Sequence, residues 1–272
     1  MTTSTDVGGP RERPPNAVPI LELKGVSKRF GAVQALHEVD FDLREGQVTA
    51  LVGDNGAGKS VTIKCIAGIY PIDSGEILWE GKPVEIHGPK DAAALGIEIV
   101  YQDLALADNL DVVQNMYLGR EEITPFRALD ETKMERRCSE TLASLSVTTI
   151  RSVRQTVAGL SGGQRQSIAV AKAVMWNSRL VILDEPTAAL GVAQTRQVLD
   201  LVRRLAEQGL AVMLVSHNLH DIFEVADRIT VLRLGQDVAR FDTHETTQRE
   251  VVEAITAGKL STVPGQEAEV HP

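Results

Sequence analysis

The amino-acid sequence predicts an α/β fold: a mostly parallel sheet with helices on both faces, an antiparallel β subdomain near the start and an inserted helical subdomain. Three observations carry this. Short apolar runs at 48–53, 180–183, 210–215 and 229–232 read as buried strands with helical patterns among them, so strands alternate with helices. Near the start, Val39, Phe41 and Leu43 alternate with Asp40, Asp42 and Arg44, the period of a half-buried antiparallel strand. From about Ala107 to Ser161 the pattern turns helical and mixed.

Taken in order, residues 1–18 are rich in Thr, Gly, Pro and Arg without apolar periodicity and are expected to form a disordered tail. Residues 259–272 are expected to form a flexible one, which leaves one domain over 19–258. A strand at 21–28 precedes the alternating strand at 39–43. The buried strand at 48–53 feeds a helix at 60–67, so the glycines between them lie in a strand-to-helix loop. Residues 76–79 and 84–87 flank Gly81 and Pro83 as the arms of a hairpin, and 97–100 is a short strand. The helical subdomain is expected at about 105–176. Within it Asp130 is placed to cap a charged helix ending near Leu145, and Ser161 to cap one running through Ile168, Ala169 and Ala171 to about Trp176. Beyond it, Val198, Leu201, Val202 and Leu205 mark one face of a helix closed by Gly209. No internal repeat is visible.

Composition bounds the function. With 43% hydrophobic and 24% charged residues the chain falls among ordinary soluble globular proteins. A formal charge of −9 argues against binding nucleic acid through a dominant positive field. No apolar stretch approaches the roughly 20 residues that span a bilayer, and the start lacks a signal-peptide core. The chain is therefore expected in the cytosol. Two cysteines, Cys65 and Cys138, have neither the number nor the spacing of a disulfide framework or a metal site, and are expected to be reduced and structural.

The chemistry-bearing residues lie at strand ends and helix starts. Gly53-Asp54-Asn55-Gly56-Ala57-Gly58-Lys59-Ser60 fits the phosphate-binding pattern G-x-x-x-x-G-K-[ST], between a predicted strand and a predicted helix. Its glycines permit a turn that aims successive N–H groups at phosphate oxygens, Lys59 reaches the terminal phosphates, and the Ser60 hydroxyl is a magnesium ligand. The strand at 180–183 empties into Asp184 and Glu185, an expensive place for uncompensated negative charge. A metal held by Asp184 compensates it, and Glu185 is then placed to polarise an attacking water. Ser216-His217 ends another parallel strand, where ligands collect. Gln102 follows the strand at 97–100 as a neutral magnesium ligand or a water-orienting amide. Phe30, within Ser27-Lys28-Arg29-Phe30-Gly31, can stack on an adenine, with core packing the default for a lone aromatic. Finally, Leu160-Ser161-Gly162-Gly163-Gln164 reads as a second phosphate-binding turn, in which Ser161 caps a helix and the two glycines let a ligand approach the backbone.

In this order the residues resemble the nucleotide-binding subunit of an ATP-binding cassette (ABC) transporter, over about 21–258, with a P-loop NTPase core. The resemblance implies ATP and Mg2+. It implies that Phe30 stacks on adenine, that Gly53, Asp54, Asn55, Gly56, Ala57, Gly58, Lys59 and Ser60 hold the phosphates, and that Ser60, Gln102 and Asp184 face the metal. Glu185 is then the general base, Gln102 senses the metal and couples to the membrane subunit, and His217 holds the γ-phosphate and the attacking water. Ser161, Gly162, Gly163 and Gln164 form the signature pentad, which completes a nucleotide site on a second copy of the chain or a homologous cassette. Membrane permease subunits and, indirectly, a solute-binding protein are the implied partners, with no nucleic acid. The implied location is peripheral, at the cytoplasmic face of a bacterial cell membrane.

A finer resemblance is to importers of ribose, xylose, galactose or fructose, through Gly53-Asp54-Asn55, Asp108-Asn109-Leu110 and Tyr117-Leu118-Gly119-Arg120-Glu121. Many members fuse two cassettes. One is visible here, so two copies are expected, without the long C-terminal regulatory domain of other sugar-importer ATPases. There is one departure: the loop that crosses the dimer interface in the wider family ends in aspartate, whereas Pro186-Thr187-Ala188-Ala189-Leu190 ends in Gly191. Two other readings stand beside ATP-driven import. A soluble ABC-type ATPase remodelling a nucleic-acid or ribosomal complex wants coiled-coil arms, a basic linker or a second cassette. A regulatory ATP-binding subunit is motivated by Gly191.

Overall fold

The computed structural model describes residues 18–258. The expected tails at 1–18 and 259–272 lie outside these residues, apart from Val18. Strand β1 (Leu21–Phe30) pairs antiparallel with β2 (Val33–Leu43), as the alternation at 39–43 predicts. The six-stranded central sheet begins with β3 (Val48–Val52), which leads through the phosphate-loop sequence into α1 (Lys59–Ile66). Strands β4 (Ser74–Trp79) and β5 (Lys82–Pro83) complete the antiparallel sheet in the order β2-β1-β4-β5.

The hairpin is thus present, but its second arm is Lys82–Pro83 and the expected arm at 84–87 is not a strand. The reason is local. His87 donates its N–H to Asp91 Oδ2 at 3.0 Å, and Pro89 opens α2 (Pro89–Ala94), which draws the chain off the sheet.

After α2 come β6 (Ile97–Val100), then α3 (Val112–Tyr117), α4 (Glu131–Ser144) and α5 (Gly162–Val174) in the helical insertion. Asp130 caps α4 and Ser161 caps α5, as the sequence predicts. The chain then returns to the sheet with β7 (Leu180–Asp184), α6 (Val192–Glu207), β8 (Ala211–Val215), α7 (Leu219–Val225), β9 (Arg228–Arg233), β10 (Gln236–Asp242) and α8 (Gln248–Ala257). The sheet order is β10-β9-β3-β8-β7-β6, parallel from β9 to β6, with β10 antiparallel on the edge.

The continuous apolar runs are explained by burial on both faces. In β7, Val181 and Leu183 enter the core shared with the helical insertion, whereas Leu180 and Ile182 enter the core beneath the antiparallel sheet. Helix α6 buries Val198, Leu201, Val202 and Leu205, each worth about 1.5–3 kcal/mol of transfer free energy. Cys65 and Cys138 are free and buried, and burial pushes their thiols up to about 11 and about 12, so neither is a nucleophile near neutral pH. No helix among the described residues is long and apolar enough to cross a membrane.

Candidate nucleotide site

Four parallel strands deliver the site. Strand β3 runs into Gly53, whose φ of +151° is rarely open to L side chains, and whose Cβ, if present, would lie 2.1 Å from the Leu232 carbonyl oxygen. This packing pins the start of the loop against β9. At its other end Lys59 begins α1, and its ammonium donates to the carbonyls of Gly53 at 2.6 Å and Asp54 at 3.0 Å. Burial lowers the Lys59 pKa, and the charges of Glu185, Asp54 and Asp184 oppose that shift.

Strand β7 brings up the carboxylates. Burial and the neighbouring Glu185 charge raise the Asp184 pKa, against the pull of Lys59 and Lys64. Such a carboxylate gains most from a nearby cation. Glu185 sits at φ +51°, a left-handed conformation that costs an ordinary residue about 1–3 kcal/mol and persists only where its surroundings enforce it. Here its N–H donates to the Val215 carbonyl at 2.8 Å, which ties the turn to the end of β8. From that same end comes His217, whose Nδ1 lies 2.8 Å from Glu185 Oε2. The glutamate side chain is 16% exposed and the imidazole 74%, so a largely buried carboxylate is presented to a solvent-facing ring.

Two cavities share this wall. One, of about 360 Å³, is lined by residues 55–61 of the phosphate loop and α1, by Gln102, Asp184 and Glu185, and by Val33, Gln34 and Ala35 of β2. The other, of about 650 Å³, lies on the far side of Glu185, between Gly53, Asp54, Asn55, His217 and the α8 residues Val252, Ile255 and Thr256. The first fits a magnesium-bound polyphosphate by its donor set. The Ser60 hydroxyl, the Gln102 amide and the Asp184 carboxylate are all hard oxygen donors on one cavity, opposite a lysine. Among the described residues no cluster of three or more His, Cys, Asp or Glu could hold a metal, so the ion would need phosphate oxygens as well.

Two groups from the sequence reading stand apart. Phe30 lines neither cavity, and the default of core packing does not hold for it: the ring is 41% exposed, edge-on to Tyr70 at 5.0 Å with Lys28 Nζ 5.5 Å from its centroid. The pentad lines neither cavity as well. Ser161 and Gln164 form a reciprocal capping box, and Gln164 Nε2 also donates to the Thr149 carbonyl at 2.6 Å, so this amide is engaged within the chain. The glycines have an intramolecular reason too. A Cβ on Gly162 would lie 2.9 Å from Leu190 Cδ2, and one on Gly163 3.0 Å from Gln194 Cβ, because the loop after Glu185 and the start of α6 pack directly on the pentad. Gly191 caps α6 at φ −74° with nothing within 4 Å of a Cβ built there, so the backbone does not require glycine at this position.

The chain is similar to known proteins. The ABC transporter family model matches residues 36–188, more than half of the chain. This chain belongs to the ABC transporter family. It is 46% identical over 89% of its length to the fructose import ATP-binding protein FrcA of Rhizobium meliloti, covering 95% of that protein. It is 44% identical over 90% of its length to the xylose/arabinose import ATP-binding protein XylG of Sulfolobus acidocaldarius, covering 96% of it. Among solved structures, a nucleotide-free ATP-binding cassette from an ABC transporter superposes with a TM-score of 0.74 at 24% identity, covering 82% of this chain and 91% of that one, which establishes the cassette fold. As an ABC cassette the chain is an ATPase.

Sequence reasoning passes over several residues that the ABC fold adds to the site. The wall from β2 carries no motif, and the α8 wall is distant in sequence, although the box of Thr247 and Glu250 and the left-handed Gly258 mark that helix at both ends. Asp221, buried where it meets Thr187 and Asn218, gives no signal in the sequence beyond its place in the first turn of α7.

Proposed function

We propose that this chain is the ATP-hydrolysing subunit of an importer that draws a small solute, a monosaccharide, through a partner permease. The observation that carries the reading is the convergence of the phosphate loop, Gln102, Asp184, Glu185 and His217 on one pair of adjoining cavities, with the 2.8 Å contact between Glu185 and His217. The sugar class is supported by its likeness to the fructose import protein FrcA and the xylose/arabinose import protein XylG.

In this reading residues 53–60 hold the phosphates, with Lys59 exchanging its loop carbonyls for phosphate oxygens. Ser60, Asp184 and Gln102 would hold Mg2+, which would supply positive charge to the transferring phosphoryl group. Glu185 takes a proton from the attacking water, and His217 holds that carboxylate and the terminal phosphate in register. Phe30 stacks on the adenine from the exposed end of the β1–β2 hairpin. The pentad, absent from its own chain's cavities, serves the nucleotide of a second copy or a homologous cassette, so that ATP closes two cassettes together. The assembly sits on permease subunits at the cytoplasmic face of the membrane and receives its solute from a separate binding protein.

The test is Glu185→Gln in the purified full chain. It should bind ATP with near-parental affinity and hydrolyse it about 10²- to 10⁴-fold more slowly. Parental turnover by this variant removes Glu185 as the base. Vesicles carrying the permease should show ATP-dependent sugar flux. A regulatory subunit would give none.

A further inference from the structure

Asp221 is a carboxylate only 3% exposed, with no ion pair among the described residues. Burying an anion without a cation is costly unless its lone pairs are satisfied, and a group retained under that cost holds something in place. Its partners are specific. Oδ2 accepts the Thr187 hydroxyl at 2.7 Å, and Oδ1 accepts Asn218 Nδ2 at 2.9 Å. An acidic residue at this position of a helix ordinarily reaches back to the N-cap backbone N–H. Here the carboxylate leaves that bond and orients the Asn218 amide, whose Oδ1 caps the His220 N–H at 3.1 Å.

Thr187 lies two residues after Glu185, and Asn218 one residue after His217. One buried carboxylate therefore spans the turn that carries Glu185 and the turn that carries His217. The first turn is strained, with Glu185 at φ +51° and Ala189 at φ +60°. Its backbone bonds, from the Glu185 N–H to Val215, from the Ala188 N–H to Glu185 and from the Leu190 N–H to Thr187, hold the turn to β8 and to itself but none ties its outgoing limb to α7. The Thr187 hydroxyl supplies that tie.

We propose that Asp221 and Thr187 are positioning residues for ATP hydrolysis: through them α7 holds the Glu185 turn so that its carboxylate meets His217 and the attacking water. This rests on the reading of Glu185 as the base.

The test is the kinetics of Thr187→Val, which keeps the side-chain shape and deletes the donor, together with Asp221→Ala. A misplaced base loses turnover and spares binding, so kcat should fall about 10- to 100-fold. KM and ATP affinity should stay within about twofold, which also reports that the variant is folded. Thr187→Ser and Asp221→Asn should recover most of the rate, since an asparagine can accept from Asn218 and donate to the Thr187 oxygen. In a Glu185→Gln background Thr187→Val should cost nothing further, because the group it positions is gone. If Asp221→Ala fails to fold, Thr187→Val alone carries the measurement. Parental kcat in Thr187→Val beside a crippled Glu185→Gln overturns the positioning role and leaves the base in place. A parallel loss of ATP affinity, or an undiminished effect in the Glu185→Gln background, overturns it too. Parental turnover in Glu185→Gln itself overturns both.

Discussion

Alanine substitutions at Gly162 and Gly163 should move stability in opposite directions. Both residues lie in the first turn of α5, where alanine gains up to about 1 kcal/mol of helix propensity over glycine. What a new Cβ meets decides the sign. At Gly162 the close atom is Leu190 Cδ2 at 2.9 Å, the far end of a side chain that moves by a rotamer change. Gly162→Ala should therefore be neutral or stabilising by up to about 1 kcal/mol. At Gly163 the close atoms are Gln194 Cβ at 3.0 Å and Cγ at 3.2 Å, and since a Cβ moves only with its backbone, α6 has to give by a few tenths of an ångström. Overpacking of that kind costs about 1–3 kcal/mol, which leaves a net loss of up to about 2 kcal/mol after the propensity gain. Urea unfolding of the two variants and the parent at one pH measures the difference, with the m-value as a check on compactness. A Gly163→Ala protein as stable as Gly162→Ala would refute the claim that α6 packs against the pentad and dictates glycine there.

Two further outcomes follow from the carboxylate turn. Asp184 has a raised pKa in the folded protein, so the folded state binds its proton more tightly than the unfolded chain, and its ionisation costs stability as pH rises through the folded value. Asp184→Asn should therefore unfold at a higher temperature than the parent at pH 7, with the gap closing as pH falls from the raised folded value towards about 4, while ATP turnover is lost. Equal melting temperatures at neutral pH would sink this account of Asp184. At the head of α6, Gly191→Asp meets no atom and adds a capping carboxylate, so it should raise stability by a few tenths of a kcal/mol, on the order of a Gly-to-Asp cap. Destabilisation on thermal melting would mean that the loop has a constraint not visible in its backbone.

The phosphate loop, the Asp184–Glu185 strand end and the Ser161 cap were legible because each is local: a few consecutive residues fix a turn, a helix start or a strand end wherever the chain lies. The arm at 84–87 was misread for the same locality, since its apolar residues resemble a strand until Pro89 and Asp91 draw the chain away. Phe30, for which the sequence offers adenine stacking beside the core packing usual for a lone aromatic, emerges at the surface because a hairpin end has no layer above it. The alternation of strands and helices was legible because strands buried on both faces must read as continuous apolar runs.

The sequence by itself determined that this chain builds a parallel sheet around a phosphate loop and sets two carboxylates and a histidine at strand ends. Only the tertiary structure decided that Glu185 and His217, 2.8 Å apart, form one unit, that Asp221 joins their turns, and that the pentad lines neither of the two cavities at the phosphate loop. The physical reason is separation along the chain. Backbone propensity and capping act over a few residues, whereas the contact of residues brought in by different strands is set by sheet order and by packing between the two cores, which local sequence does not encode.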